Sequence, residues 1–247
     1  MKQVLGAAAL AALAAPVAAQ QAGPEWRGIA ALGVRSKPEF EGSREYETEL
    51  VPFISFDYGR VSIGRDGLAL TAFRNSGATI SATLGYDGDR DASDLDVPGL
   101  ADIDKAFRLG IVGSYKTPIG RVYGSVQHYL AETEGTSASV GLAQRMQLTG
   151  RLSLTADLSV TFSDERYMDG YFGIDAAASD ASGLPVYDLD AGFRRVQFGL
   201  GATYRLSENL RLGGLVSISQ LGSDVRASPV VQEDLGVTTM VYLGYAF

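Results

Sequence analysis

The chain has one imidazole and no thiol, which limits the catalytic chemistry available to it. His128 is the only histidine, and cysteine is absent. A Ser–His pair could hydrolyse lipids at a membrane surface, but the sequence contains no Gly-x-Ser-x-Gly elbow. His128 also shares the alternating parity of Val122, Val126 and Leu130, which predicts a position at a membrane–water boundary. We therefore expect no enzyme activity and assign no catalytic residue.

A second candidate for chemistry is an aspartate-rich segment that begins at Asp87, because alternating carboxylates suit Ca²⁺. Its acidic residues are Asp87, Asp89, Asp91, Asp94, Asp96, Asp102 and Asp104. An EF-hand frame would need Gly at its sixth position and Glu at its twelfth, where this chain has Ala92 and Pro98. We expect a solvated loop, which divalent ions could bridge to lipopolysaccharide, and predict no metal site and no cofactor.

A third candidate is a set of charges on the small-residue faces of alternating segments. It comprises Arg108, Lys116, Arg145, Arg195, Arg205, Arg211 and Asp157. If the segments are strands of a barrel, these charges face the lumen among Gly, Ser and Thr. Such a lumen could pass small anions, or its charges could pair and fill a narrow bore. The residue types leave both alternatives open.

Composition excludes several classes of protein. The 247 residues carry 21 Lys and Arg against 29 Asp and Glu, which gives a net charge of −8. A chain without cysteine forms neither disulfides nor thiolate metal sites. An acidic chain without a run of Lys or Arg is a poor partner for nucleic acid. The 46% of hydrophobic residues is too high for a disordered chain.

The N-terminus resembles a secretory signal peptide. Lys2 precedes an apolar run of Ala, Leu and Gly, and small residues before Gln20 suit a cleavage site. We expect residues 1–19 to be this signal and residues 20–247 to form the mature protein outside the cytoplasm.

The rest of the chain repeats a strand pattern. Six apolar residues alternate with six polar ones between Leu152 and Ser163, and similar runs begin near Val196, Leu210 and Val237. Period-2 alternation separates the two sets onto opposite faces of a strand. The runs cover about 10–13 residues, which suits tilted transmembrane strands, whereas strands of soluble proteins average about 5–6. With tyrosines near the run ends, this favours a transmembrane antiparallel up-and-down β-barrel over a soluble sandwich.

The strand number depends on one segment. Apolar parity is odd at Val61 and Ile63 but even at Leu68 and Leu70, so the phase slips across residues 64–67. A turn there gives twelve strands, which we predict. A bulge there, with a further strand hidden near Tyr171–Ile174 or another run miscounted, leaves ten as the alternative. Three long connections, 87–105, 164–192 and 221–235, alternate with tight turns and are expected to be extracellular.

Several short segments resemble the MltA-interacting protein (MipA/OmpV) family of bacterial outer-membrane proteins. An N-terminal piece, Pro38 to Ser43, is similar, and the C-terminal alternation resembles an outer-membrane assembly signal. The specific positions are Tyr171, Phe172, Gly173, Ser182, Gly183, Leu184, Pro185, Tyr187, Ser228 and Pro229, with Leu243, Tyr245 and Phe247 in the assembly signal. We interpret Tyr171, Phe172 and Tyr187 either as packing the long loop into the barrel mouth or as offering contacts.

The resemblance implies a location and a role. It implies a non-enzymatic barrel of the outer membrane, surrounded by lipid and lipopolysaccharide. It further implies a scaffold that links a lytic transglycosylase, which is a murein hydrolase, with a peptidoglycan synthase. A small-solute pore and a surface adhesin are the alternatives, and a lipid-modifying enzyme built on His128 ranks last.

Overall fold

The computed structural model describes residues 27–64, 67–87, 90–91, 95, 97–130 and 134–247. The predicted signal peptide and the residues Asp89, Asp94 and Asp96 lie outside them. The described residues form twelve antiparallel strands that close into one barrel, with β1 paired to both β2 and β12. The strands are β1 (Arg27–Pro38), β2 (Tyr46–Tyr58), β3 (Val61–Gly64), β4 (Gly67–Arg74), β5 (Ala78–Asp87), β6 (Ala106–Thr117), β7 (Gly120–Tyr129), β8 (Gly135–Gln147), β9 (Leu152–Ser163), β10 (Gly192–Arg205), β11 (Leu210–Leu221) and β12 (Leu235–Ala246).

The phase slip near residue 65 marks a hairpin, so the prediction of twelve strands is confirmed and the alternative of ten is wrong. β3 and β4 are separate strands in which Gly64 pairs with Gly67. A register shift between Thr71 and Phe73 then keeps Phe73 on the outer face. The proposed hidden strand near Tyr171 is wrong as well, because that segment ends a helix.

The outer face of the barrel is apolar, as the alternation predicts. Leu50, Ile111 and Val241 have exposed fractions of 69%, 61% and 60%. A water-soluble protein rarely exposes apolar patches of this extent. Hydrocarbon therefore takes the place that a protein interior would occupy elsewhere, and the apolar residues of the strands face lipid.

The two ends of the barrel differ. One end, which we call the turn end, carries short hairpin connections such as 118–119 and 206–209. The other, the loop end, carries the connections 39–45, 88–105, 164–191 and 222–234. In outer-membrane barrels the long loops are extracellular and the short turns periplasmic.

The long loops contain helices that the alternation analysis missed. α1 is Glu165–Phe172, α2 is Ala176–Ser182 and α3 is Ser223–Arg226. Asp164 caps α1 by accepting a hydrogen bond from the Tyr167 N–H at 2.9 Å, and Asp175 caps α2 in the same way. Among the described residues, none of these helices has the length and apolarity needed to cross a bilayer.

Candidate functional site

The only buried apolar clusters among the described residues lie at the loop end, outside the strands' lipid-facing surface. We call the described parts of the four long loops together with α1, α2 and α3 the cap. One cluster joins α1 to the loops of β5–β6 and β11–β12, and the second joins α2 to the loop of β1–β2. Their fully buried members include Met168, Phe172, Ile174, Val225 and Val230. The cap is therefore packed like a small globular domain, although the barrel below it is not.

Tyr171 and Phe172 lie where the four loops of the cap meet. The Tyr171 carbonyl accepts from Arg90 of the β5–β6 loop, and its hydroxyl accepts from the Glu41 N–H at 3.3 Å. The Phe172 carbonyl accepts from the Ser228 hydroxyl of the β11–β12 loop. These loops leave the barrel at widely separated strands, so the structure assembles the cap across the mouth.

Gly173 has a steric reason for its identity. A Cβ atom at this residue would lie 2.4 Å from the carbonyl oxygen of Asp169, which ends α1 by accepting the Gly173 N–H. Any side chain there would push α1 away from its capping turn.

The Ser-Gly-Leu-Pro segment ends α2 in a similar manner. Gly183 has a φ of 75°, in the left-handed region that favours glycine. The hydroxyl of Ser182 accepts from the Leu184 N–H, and the chain then reaches Tyr187, which forms a two-way backbone bridge with Ile174. The Tyr187 hydroxyl donates to the Asp224 carbonyl at 2.7 Å. Pro185 lies between these contacts, and Pro229 follows Ser228 in the adjoining loop.

A buried ion pair fastens the β1–β2 loop to β10. The Arg194 guanidinium forms two hydrogen bonds to Glu41, one of them 3.1 Å from Nε, and it lies 4.2 Å from the centre of the Tyr167 ring. Arg195 contacts the same carboxylate at 3.2 Å. The Arg194 side chain is 6% exposed and that of Glu41 is 12% exposed.

A β-bulge allows both arginines to reach one carboxylate. Phe193 pairs with Phe162 and Arg195 with Thr161, so Arg194 is an extra residue on its strand. Strict alternation would turn Arg194 outward toward lipid. The bulge turns it inward beside Arg195, where Glu41 balances part of their charge.

Burial and charge act in opposite directions on Glu41. Burial raises the pKa of its carboxyl, but the charges and hydrogen bonds of Arg194 and Arg195 lower this pKa by a larger amount. The pKa of Glu41 therefore lies below its ordinary value. Burial, reinforced by the Glu41 charge, raises the pKa of Tyr171 to about 12. At neutral pH Glu41 is thus charged and Tyr171 is protonated.

The barrel interior carries polar side chains and flat aromatic rings. Tyr242 lies over Gly213, where a Cβ atom would fall 2.0 Å from the ring, and it packs edge-on against Phe53 at 5.3 Å between centroids. Tyr123 donates to Asp157 at 3.0 Å. These rings lie against the wall because the facing glycines leave room for them.

The predicted inward charges do not form a single group. Arg108 contacts Gln127 and Arg195 contacts Glu41, both near the loop end. The others, apart from Asp157, lie within two residues of the turn end: Lys116, Arg145, Arg205 and Arg211. Among the described residues, no group of three or more His, Asp or Glu side chains is positioned to hold a metal ion.

His128 and the C-terminal residues lie on the outer surface. The His128 ring is exposed and shares a 3.1 Å hydrogen bond with the Thr136 hydroxyl near the loop end of β7. Leu243, Tyr245 and Phe247 are exposed on one face at the C-terminus. Phe247 exchanges two backbone hydrogen bonds with Gly28, which closes the barrel seam.

Sequence reasoning did not assign roles to the charged residues that hold the cap together and fasten it to the barrel. Glu41 belongs to the Pro38–Ser43 segment that supports the family resemblance, so a signal for it was present. Arg194 carried no such signal, because its inward position depends on the bulge. Arg90 could not be linked to Tyr171 from the sequence, since the two residues are 81 positions apart.

Comparisons with known proteins find a matching family and several similar outer-membrane proteins. A family model described as MltA-interacting protein MipA matches residues 30–247. The chain is 25% identical over 225 residues to the Escherichia coli K12 protein named "Putative outer membrane protein YiaT", covering 89% of this chain and 90% of that protein. Solved structures similar to it include OmpT, an outer membrane protein of Vibrio cholerae (TM-score 0.43, 7% identity, 90% of this chain and 97% of that one). Another is an outer membrane channel from Pseudomonas putida F1 (TM-score 0.43, 10% identity, 92% and 97%).

Proposed function

The chain belongs to the MltA-interacting protein MipA family, and we propose that it is a non-enzymatic scaffold of the outer membrane. In this proposal it holds a lytic transglycosylase and a peptidoglycan synthase at the inner surface of that membrane. The observation that carries the proposal is the family match, which extends over the barrel and the cap together. Both enzymes act on murein, so their contact surface has to be the turn end, which faces the periplasm.

The turn end has a small surface that includes exposed apolar side chains. Ile119 stands at the tip of the β6–β7 turn with an exposed fraction of 68%, and Leu148 follows the end of β8 with 53%. Apolar side chains at interfaces gain from leaving water, and a few of them supply most of the affinity. We infer that these two residues contact the partner enzymes.

The experiment is a pull-down of the full chain from detergent-solubilised envelopes. The wild-type protein is expected to recover a murein hydrolase and a synthase, and an Ile119→Asp/Leu148→Asp variant is expected to lose both. Val186→Asp is the matched control, because Val186 is 49% exposed but lies in the cap. Failure of the wild type to recover either enzyme contradicts the scaffold proposal, and equal recovery by both variants contradicts the contact residues.

The cap weighs against the alternative of a permanently open pore. Its four loops meet over the mouth, and a buried ion pair fastens the β1–β2 loop to β10. Planar-bilayer recordings of the purified protein should therefore lack steady conductance steps. For the enzyme alternative, replacing His128 by Ala is expected to leave the lipid composition of the membrane unchanged.

A further inference from the structure

The turn end of the barrel interior contains an excess of positive charge. Seven cationic side chains lie within two residues of the turn ends of their strands. Arg27 pairs in register with Asp57 on β2, and we call the other six the basic arc: Arg74, Lys116, Arg121, Arg145, Arg205 and Arg211. The whole chain is acidic, with a net charge of −8. Positive charge is therefore concentrated at one end of a negative protein.

These side chains face the lumen. The residues that precede or follow them on the same strands, such as Tyr115, Val122 and Tyr204, are exposed on the lipid side. Alternation then directs Lys116, Arg121 and Arg205 inward. Twelve strands spaced about 4.8 Å apart and tilted by about 40° enclose a backbone bore of about 24 Å, so the arc surrounds a space that a solute can enter.

Cations of the arc are direct neighbours. Lys116 pairs with Arg121 across β6 and β7, and Arg205 pairs with Arg211 across β10 and β11. Arg145 lies on β8, between these two pairs. Side chains in such positions have Cβ atoms about 5 Å apart, and like charges placed there destabilise a sheet.

Protein carboxylates do not balance this repulsion. Asp57 and Glu208 lie at the same end, and Asp157 lies further inside, where it accepts from Tyr123. Among the described residues, none of these acids forms an ion pair with the arc. The ion pairs of the cap and of the neighbouring strand ends, such as Arg35 with Glu49 at 2.6 Å, lie at the loop end.

We propose that the basic arc is a binding site for a small multivalent oxyanion that enters from the periplasm. Two adjacent cations match an anionic group that carries more than one negative oxygen. The low-dielectric wall of the barrel focuses the positive field on the bore. The ligand is a solute rather than a bilayer lipid, because the cations face the lumen and the cap covers the opposite end. This site is independent of the scaffold role.

The test is calorimetric titration of the detergent-solubilised full chain with inorganic tripolyphosphate. Saturable binding is expected, weakening as salt is raised because added ions screen the arc. A Lys116→Gln/Arg121→Gln variant and an Arg205→Gln/Arg211→Gln variant are each expected to bind at least about tenfold more weakly. Arg166→Gln/Arg226→Gln is the matched control, because it removes the same charge from the cap and should bind as the wild type does.

Stability without ligand separates binding from a structural role. Removing the Lys116–Arg121 repulsion should leave the denaturation midpoint unchanged or raise it. Tripolyphosphate should raise the midpoint of the wild type and of the control variant, and that of the arc variants much less. This pair is the more decisive one, because Arg211 also donates to the carbonyls of Ser207 and Glu208 in its turn. Absence of saturable binding to the wild type, or equal affinity in arc and control variants, overturns the proposal.

Discussion

Glu41→Gln is the substitution that most directly tests how the cap is held. Glutamine keeps the shape of the side chain but removes the charge that Arg194 and Arg195 share. Both guanidinium groups then face a neutral amide in a largely buried position. We expect the cap to open more often, while the twelve strands remain closed because their ladders do not involve Glu41.

The size of the effect follows from burial. Removing one partner of a buried ion pair costs about 3–5 kcal/mol, because the remaining charge stays without compensation. Since about 1.4 kcal/mol is a factor of ten, the open population should rise between roughly 100-fold and several thousand-fold. Glu49→Gln is the control, because the pair of Glu49 with Arg35 is partly exposed and such pairs contribute about 0–1 kcal/mol.

Limited proteolysis of the detergent-solubilised barrel measures this opening. When the cap closes faster than the protease cuts, the cleavage rate follows the open population. Cleavage within residues 164–191 should accelerate strongly in Glu41→Gln and by no more than about fivefold in Glu49→Gln. An Arg194→Gln/Glu41→Gln double variant should open less than the two single effects combined predict. Equal cleavage of Glu41→Gln and Glu49→Gln would refute the ion-pair argument.

Further predictions concern pH, packing and closure. Because the folded pKa of Glu41 is lowered, its stabilisation is complete above the ordinary value of 4.5 and is lost as the pH falls below it, so proteolysis of the cap should accelerate on acidification. Gly213→Ala should displace the Tyr242 ring and cost about 1–3 kcal/mol in a urea titration, whereas Gly150→Ala, which meets no atom within 4 Å, should be neutral. Deleting Phe247 should reduce the amount of folded barrel in outer-membrane fractions, as measured by heat-modifiable gel mobility, and an unchanged amount would contradict its role in assembly.

Alternation over about a dozen residues was sufficient to predict strands, and the length of the runs favoured a membrane barrel over a soluble sandwich. The phase slip at residues 64–67 even identified the short hairpin that brings the count to twelve. The same rule failed at Arg194, where one inserted residue shifts the parity of the preceding part of β10, so that Phe193 is exposed and Arg194 is buried. Local pattern cannot reveal such a bulge, since it depends on what lies across the sheet.

The cap illustrates the opposite case. Tyr171, Phe172 and Ser228 were recognisable as specific positions, but their partners come from loops more than 50 residues away. The helices α1 and α2 are short and escaped notice because isolated helices of seven or eight residues have little intrinsic stability. Packing over the barrel mouth, rather than propensity, makes them form.

Outside the two bulges, the linear order of residues alone determined which side chains meet lipid and which meet the lumen, because every second residue of a regular strand shares a face. It favoured the correct number of twelve strands and located three of the four long loops. Only the tertiary structure decided which charges that are distant in the sequence become neighbours. Packing of the β1–β2 loop against β10 brings Glu41 to Arg194 across 153 positions, a contact that no local pattern in the sequence specifies.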